Sequence, residues 1–353
     1  MNAITLLSAT PREFHAHLQK ALTHFQPRPQ LLAAIDRFYT RHPRGYFTLI
    51  GPPGTGKTAL LARYATTHPR VIYYSAQLPG KNQAETFLLA LCRQLSQLAQ
   101  TQGIPVPETA SSESPQFPSS RFAYLLQTLS DHLPLRENLV IAIDGCDNID
   151  RCQQPPGTNL FYLPRYLPNR VYILLARRPF PPSQSGLFSE SPQQSLHLLD
   201  YPDSTRETVC AYVDTYFATH APQLQNSRLS DELVNASENN FTFLSQILPA
   251  ITQNYSSNSF HRQPPPPGLA AYYQQHLTQM NLTASPLKPT LLQHLAAATD
   301  ALSVEDMAAA LDEDEYDIET ILEEWTPFLI AEESATEPKY RLYHRHFAEF
   351  INY

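Results

Sequence analysis

Residues 46–58 join an apolar segment to a glycine-rich turn, and they read Tyr-Phe-Thr-Leu-Ile-Gly-Pro-Pro-Gly-Thr-Gly-Lys-Thr. The turn fits the pattern G-x-x-x-x-G-K-[ST], in which backbone N–H groups surround a phosphate. The helix-forming segment 59–65 follows and would direct its positive N-terminal dipole at the same anion. A strand before the turn and a helix after it argue against a chance Gly/Pro turn. The sequence therefore predicts that this chain binds a nucleoside triphosphate.

Each position of the turn has an expected part in phosphate binding. Lys57 would reach the β- and γ-phosphates, and the Thr58 hydroxyl would hold Mg²⁺. The complete set of expected phosphate-binding residues is Gly51, Pro52, Pro53, Gly54, Thr55, Gly56, Lys57 and Thr58.

Hydropathy and cysteine spacing predict a protein of the cytosol. No apolar run approaches the roughly 18 residues needed to cross a bilayer, and residues 1–10 lack the basic start and apolar core of a signal peptide. The four cysteines do not have the spacing of a zinc site or a disulfide framework. We therefore expect a cytoplasmic chain that makes no membrane contact.

Short apolar segments alternate with helical ones over the first 200 residues. This alternation predicts an α/β fold, a parallel P-loop NTPase sheet with helices on both faces. The predicted strands are 46–50, 71–74, 139–143, 171–175 and 195–199, and the main helices are 11–42 (broken near 25–29), 59–67, 83–102 and 119–133.

The pattern after residue 200 is helical and ends in a compact acidic segment. Ser204 to Glu207 and Ser303 to Asp306 both have the form of helix-capping boxes. Three short helices and a hairpin after residue 286 predict a winged helix. The four expected regions are a helical lead-in (1–45), a P-loop NTPase core (46–200), an all-helical domain (201–285) and an acidic winged-helix domain (286–353).

Charge is unevenly distributed between these regions. The whole chain has a net charge of −8, but residues 286–353 contain 15 acidic and 4 basic residues, a balance of −11. Subtraction leaves 18 acidic and 21 basic residues in 1–285, a balance of +3. Nucleic-acid binding depends on basic surfaces, so an acidic winged helix argues against a nucleic-acid partner.

The second half of a nucleotide site should be an apolar strand that ends in an acid, and residues 139–144 fit this description. Asp144 would bind Mg²⁺, and Asp147 is a candidate general base for the attacking water. The alternatives are a strand-end cap for Asp144 and a solvated loop acid for Asp147. Arg178 follows the strand at 171–175 and would contact the γ-phosphate, unless it forms a surface salt bridge.

The order of these motifs resembles the NACHT-type branch of the signal-transduction ATPases with numerous domains (STAND). The resemblance covers about residues 25–353, and the segments that carry it are 51–58, 143–147, 174–179, 238–244, 267–273 and 343–350. It implies ATP or ADP with Mg²⁺ as cofactors, Asp147 as the base and Arg178 as a γ-phosphate sensor. It also places Arg28 near the adenine and assigns His344 to the ADP β-phosphate. The alternative for His344 is a histidine hydrogen-bonded within the winged helix.

Three departures from the family pattern bear on hydrolysis. Asn148 stands where the family has a second acid, Ala176 replaces Thr or Ser, and Pro27 replaces a glycine. Together they predict slow turnover, with nucleotide binding less affected.

The resemblance implies an ATP/ADP-dependent signalling switch with slow ATPase activity. Such a switch would self-assemble or act with separate sensor and effector proteins. Two alternatives remain from the sequence, an origin-recognition-like ATPase acting on DNA and a non-hydrolysing ATP-binding scaffold. Family members also carry effector and sensor domains, so this chain is either a fragment or the partner of separate chains.

Overall fold

The protein divides into two compact units, Met1–Gln225 and Asn226–Tyr353. No helix among the residues described has the length and apolar content that crossing a membrane requires. The computed structural model describes residues 11–106, 118–151, 154–155, 157–180, 186–225, 227–255, 265–332 and 337–352.

A five-stranded parallel sheet forms the centre of the first unit, and this confirms the predicted fold class. The strands are fully parallel in the order β2-β3-β4-β1-β5. The first three strands are buried along their whole length, as expected of apolar parallel strands covered on both faces. Their bounds are β1 (Gly45–Ile50), β2 (Val71–Ser75), β3 (Leu139–Asp144), β4 (Val171–Arg177) and β5 (Gln193–His197).

The last strand differs from its prediction. It was expected at 195–199, but β5 ends at His197 and Leu198–Asp200 form a single 3₁₀ turn. The apolar pattern predicts that Leu198 and Leu199 continue the strand, but Leu198 is buried whereas Leu199 is 64% exposed. β5 is an edge strand with mostly exposed side chains, so an apolar run located it less accurately than the buried strands.

Helices pack around this sheet and bring the N-terminal segment against it. α1 contacts α3 and β2, α2 contacts β1, and α4 packs on α5. The predicted break near residues 25–29 is present, and Pro29 opens the second helix, where its missing N–H costs nothing. The helices described in this unit are α1 (Arg12–Leu22), α2 (Pro29–Arg41), α3 (Lys57–Thr67), α4 (Ala84–Thr101), α5 (Pro118–His132) and α6 (Pro202–His220).

The predicted cap of α6 at Ser204 is wrong. The helix begins at Pro202, with Tyr201 as its N-cap residue. Proline is favoured at the first helical position because its φ angle is already helical and it has no N–H to leave unpaired. Ser204 therefore lies within the first turn, where its hydroxyl donates to Gln30 Oε1 at 3.1 Å.

The described part of the second unit consists of helices and an antiparallel pair of strands. Three helices, α10 to α12, are followed by β6 and β7, the arrangement expected of a winged helix. The predicted capping box at Ser303 and Asp306 is present and opens α11. The described elements are α7 (Arg228–Ala236), α8 (Phe241–Tyr255), α9 (Gly268–Gln279), α10 (Leu287–Ala297), α11 (Val304–Leu311), α12 (Glu315–Glu324), β6 (Leu329–Glu332), β7 (Lys339–Leu342) and α13 (Arg345–Ile351).

A partly buried polar network links α8 and α9 to the residue that follows β7. The Tyr343 hydroxyl donates to Gln246 Oε1 at 3.2 Å and lies 3.1 Å from His276 Nδ1. Gln246 Nε2 in turn donates to the Tyr273 hydroxyl at 3.1 Å. Burial lowers the pKa of His276 to about 4, so its imidazole is neutral in the folded unit at pH 7.

The lowered pKa of His276 predicts a pH dependence of stability. The unfolded chain binds a proton at His276 below its ordinary pKa of 6.5, whereas the folded unit does not bind one until about pH 4. The stability that the neutral His276 gives the folded unit is therefore fully present above pH 6.5, and it is lost as the pH falls from 6.5 to about 4. Between about pH 7 and about pH 5, we expect wild type to lose roughly 1 kcal/mol more free energy of unfolding than His276→Gln, after allowance for solvent screening.

Urea unfolding followed by the fluorescence of Trp325 measures this difference. Trp325 is the single tryptophan of the chain, is buried in the second unit and donates to Met280 O at 3.1 Å. Equal losses in the two proteins would contradict the assignment.

Candidate nucleotide site

The predicted phosphate-binding turn lies between β1 and α3, with α3 beginning at Lys57. Gly56 has φ +85° and ψ 20°, a left-handed conformation that favours glycine. A Cβ atom at Gly51 would lie 2.6 Å from Thr55 Oγ1, so the turn closes too tightly there for a side chain. Thr55 Oγ1 donates to Pro52 O at 2.9 Å and fixes the turn internally. The backbone is therefore shaped as the sequence pattern predicts.

The Lys57 ammonium group lies against the first residues of the turn. Its Nζ donates to Gly51 O at 2.7 Å and to Pro52 O at 2.9 Å. Burial lowers the pKa of Lys57 to about 8, while the carboxylates of Asp144 and Asp147 oppose the shift. Lys57 is thus predominantly protonated at pH 7 and supplies a positive charge beside the turn.

The side chains of Thr58 and Asp144 are bridged by Gln77, a residue that the sequence analysis did not identify. Gln77 Nε2 donates to Thr58 Oγ1 at 3.2 Å and to Asp144 Oδ2 at 2.9 Å. Asp144 is fully buried, and its Oδ1 has no hydrogen-bond partner in the described part of the chain. A buried carboxylate oxygen next to a threonine hydroxyl offers the hard oxygen ligands that Mg²⁺ prefers. The residues present therefore fit a magnesium ion shared with a nucleotide.

The candidate base and the candidate sensor form a pair at the same edge of the sheet. Asp147 Oδ1 accepts from Arg178 N at 3.0 Å, and its Oδ2 lies 3.2 Å from Arg178 Nε. Asp147 lies in the 3₁₀ turn Cys146–Asn148, which Gly145 separates from the end of β3, and its side chain is only 13% exposed. Neither residue is a freely solvated surface group, and the carboxylate is held by two N–H donors.

Sequence similarity to known proteins agrees with this geometry. A family model described as an AAA domain matches residues 40–176. The chain is 31% identical over 158 residues to the NACHT domain- and WD repeat-containing protein 1 of Mus musculus. It is 27% identical over 178 residues to the protein of the same description from Homo sapiens. The chain therefore has a P-loop NTPase domain that is similar in sequence to NACHT-type proteins.

The similarity covers only part of each relative. The two alignments cover 43% and 47% of this chain but 9% and 11% of the mouse and human proteins. The chain therefore spans about a tenth of the length of the curated relatives it matches. A solved STAND protein with a tetratricopeptide repeat sensor, from Pyrococcus horikoshii, is similar over 93% of this chain and 42% of its own, at 14% identity and a TM-score of 0.49.

Arg28 lies beneath the phosphate-binding turn of this domain. It is the N-cap residue of α2 and is only 3% exposed. Its Nη1 donates to Thr55 O at 2.9 Å, and its Nη2 donates to Thr205 Oγ1 at 2.7 Å. Burial lowers the pKa of Arg28 to about 10. One guanidinium thus joins α2, the turn and α6, and its predicted contact with adenine stays a prediction.

His344 is the N-cap residue of α13 in the second unit. Its Nδ1 accepts from His346 N at 3.1 Å. This bond is the kind of contact within the winged helix that the sequence left as the alternative. The implied contact with the ADP β-phosphate stays a prediction.

Gln77 and His17 are the residues near the site that sequence reasoning missed. Gln77 lies two residues beyond β2, and the carboxyl ends of parallel strands form the ligand-binding edge of such sheets. Its position just after a predicted strand could therefore have indicated Gln77 as a site residue. His17 Nε2 lies 3.6 Å from Asp144 Oδ2, but it comes from α1, far along the chain and without a local motif.

Replacing Arg28 should destabilise the first unit. Arg28→Met removes two hydrogen bonds from a charged donor, worth about 1.5–3 kcal/mol each, while relieving the cost of burying the charge. We expect a net loss of about 2 kcal/mol in the free energy of unfolding, measured by urea titration with circular dichroism. Arg37→Met on the exposed face of the same helix is the matched control and should change stability by less than about 0.5 kcal/mol. Equal effects of the two substitutions would contradict the structural role of Arg28.

Proposed function

We propose that this chain is an ATP/ADP-dependent switch that binds Mg-ATP and hydrolyses it slowly. The phosphate-binding turn and Lys57 would hold the phosphates. Thr58 and Asp144 would hold Mg²⁺, which supplies charge neutralisation for the phosphate oxygens when it is bound. The observation that carries the proposal is the pairing of Asp147 with Arg178 beside Lys57, which ties the candidate base to the candidate sensor.

The paired state of Asp147 supports slow rather than fast hydrolysis. A general base must accept a proton from the attacking water, but both Asp147 oxygens already face N–H donors of Arg178. We propose that the contact with Arg178 Nε opens when Asp147 Oδ2 orients the attacking water. A charge-assisted hydrogen bond is worth about 1.5–3 kcal/mol, so its opening lowers the rate by roughly 10- to 150-fold.

The same opening would release the Arg178 guanidinium. Once free of Asp147, it could bind two oxygens of a γ-phosphate, since a guanidinium is planar and permanently charged. ATP and ADP would then favour different arrangements of this pair. A ligand shifts a conformational equilibrium only through such differential affinity.

The bond from Arg28 to Thr205 offers a route from the nucleotide to α6. Arg28 binds both Thr55 O in the phosphate-binding turn and Thr205 Oγ1 in α6. A movement of the turn would therefore shift the guanidinium and change its hydrogen bond to α6. We propose that this link transmits nucleotide state to the helical region, with His344 as a residue that senses ADP. The acidic balance of 286–353 favours protein over nucleic-acid partners, and self-association or separate sensor and effector proteins would complete the switch.

Substitutions in the site should separate binding from hydrolysis. Lys57→Ala should weaken ATP binding by about 100-fold or more, because it removes a charged phosphate donor. Asp147→Asn should keep the ATP affinity within about threefold and lower multiple-turnover phosphate release by about 100-fold or more. Asp150→Asn, an acid three residues further on, is the matched control and should behave like wild type. Absence of phosphate release from wild type would instead favour the non-hydrolysing scaffold.

The proposed role of His344 can be separated from its role as a helix cap. His344→Ala removes the cap and the imidazole, whereas His344→Asn keeps a good capping side chain without an imidazole. We expect both variants to bind ADP about tenfold more weakly, the effect of losing one hydrogen bond to a charged group. We also expect both to shift towards oligomers in light scattering. Wild-type ADP affinity and oligomeric state in His344→Asn would restrict His344 to capping α13.

A further inference from the structure

Gln77 spans the two side chains that the proposed site offers to a metal ion. Its carboxamide nitrogen carries two hydrogens, and it has two acceptors within reach, Thr58 Oγ1 at 3.2 Å and Asp144 Oδ2 at 2.9 Å. The Thr58 hydroxyl oxygen keeps a lone pair for another ligand, and Asp144 keeps its second oxygen, Oδ1. One amide group therefore sets the separation of the hydroxyl and the carboxylate.

The two oxygens of Asp144 have different surroundings. Oδ2 faces Gln77, the Tyr73 hydroxyl at 3.4 Å and His17 Nε2 at 3.6 Å. Oδ1 is buried and has no hydrogen-bond partner among the residues described. An unpaired buried carboxylate oxygen is costly unless a cation or a donor satisfies it. The contacts on Oδ2 thus turn Oδ1 towards the role of metal ligand.

The backbone around Gln77 and Asp144 is built to hold this arrangement. Ala76 N donates to Asp144 O at 2.9 Å, which continues the pairing of β2 with β3 to the edge of the sheet. Gly145 follows with φ +69°, and a Cβ atom there would lie 2.4 Å from Gln77 Cγ. The Gln77 side chain therefore occupies the space that the missing Cβ leaves. The position of its amide is determined by both neighbouring strands.

We propose that Gln77 is a positioning residue that raises the affinity of the nucleotide site for Mg²⁺. This inference rests on the proposed function, because it concerns the metal that accompanies the nucleotide. Groups that orient metal ligands without touching the metal typically change metal affinity by 10- to 100-fold when they are removed. Gln77 acts in this way on Thr58 and Asp144 together. Its removal affects the metal and leaves the phosphate contacts of the turn in place.

Gln77→Met is the decisive substitution, because methionine has a similar length but no donor and no charge. The test is titration of the protein–ADP complex with Mn²⁺, followed by electron paramagnetic resonance. We expect Mn²⁺ to bind Gln77→Met about 10- to 100-fold more weakly than wild type. Binding of ADP in excess EDTA should change by less than about threefold, a result that a general structural defect would not give.

Two further variants complete the test. Gln127→Met is the matched control, because Gln127 Nε2 also donates to a carboxylate, Asp131 Oδ1 at 2.8 Å, on the exposed surface of α5. It should bind Mn²⁺ like wild type. Gln77→Asn keeps both donors on a side chain one methylene shorter and should weaken Mn²⁺ binding, so it decides the question if Gln77→Met fails to fold.

The outcomes separate this inference from the proposed function. Wild-type Mn²⁺ affinity in Gln77→Met, together with normal ADP binding, would overturn the role of Gln77 alone. Failure of the wild-type protein to bind ADP or ATP, with or without the metal, would overturn the proposed function and this inference with it.

Discussion

Parallel hydrogen bonding of β4 to both β1 and β3 is the constraint on which the candidate site depends. The register pairs Ile50 with Arg177 and Leu175 with Ile143, so the three strands end at one edge of the sheet. Pairing of Ser75 with Asp144 brings the end of β2 to the same edge. The phosphate-binding turn follows β1, Asp144 is the last residue of β3, Asp147 lies shortly after β3, and Arg178 follows β4. A slip in register would separate them, because every side chain of a strand changes face when the pairing moves by one residue.

Charge organises the site within this frame. Lys57 and Arg178 supply positive charge, and Asp144 and Asp147 oppose the lowering of the Lys57 pKa, which identifies the four groups as electrostatic neighbours. Arg28 adds a third cation beneath the turn, held by two neutral oxygen acceptors. Burial strengthens each of these interactions, since screening by water is reduced. An arriving polyphosphate would therefore meet Lys57 already beside the turn, whereas Arg178 would first have to leave Asp147.

Local sequence patterns predicted the parts of the fold that depend on neighbouring residues. The glycine-rich turn, the four most buried strands and the capping box at Ser303 follow from spacing and apolar content, and the structure confirms them. The failures lie where another interaction competes. α6 begins at Pro202, two residues before the expected cap at Ser204. The bounds of β5 were predicted less accurately because most of its side chains are exposed. Gln77 and His17 could not be ranked from the sequence, because Asp144 lies 67 residues from Gln77 along the chain and its contacts exist only in the folded sheet.

The nucleotide carried by the freshly purified protein tests most directly whether the site serves a slow switch. The measurement is acid extraction of the protein, followed by chromatography of the released nucleotides and quantitation per chain. We expect about one ADP per chain, because a switch that hydrolyses slowly and retains its product rests in the ADP state. A protein that carries no nucleotide and releases added ADP as fast as ATP would contradict the switch and indicate an ordinary cycling ATPase.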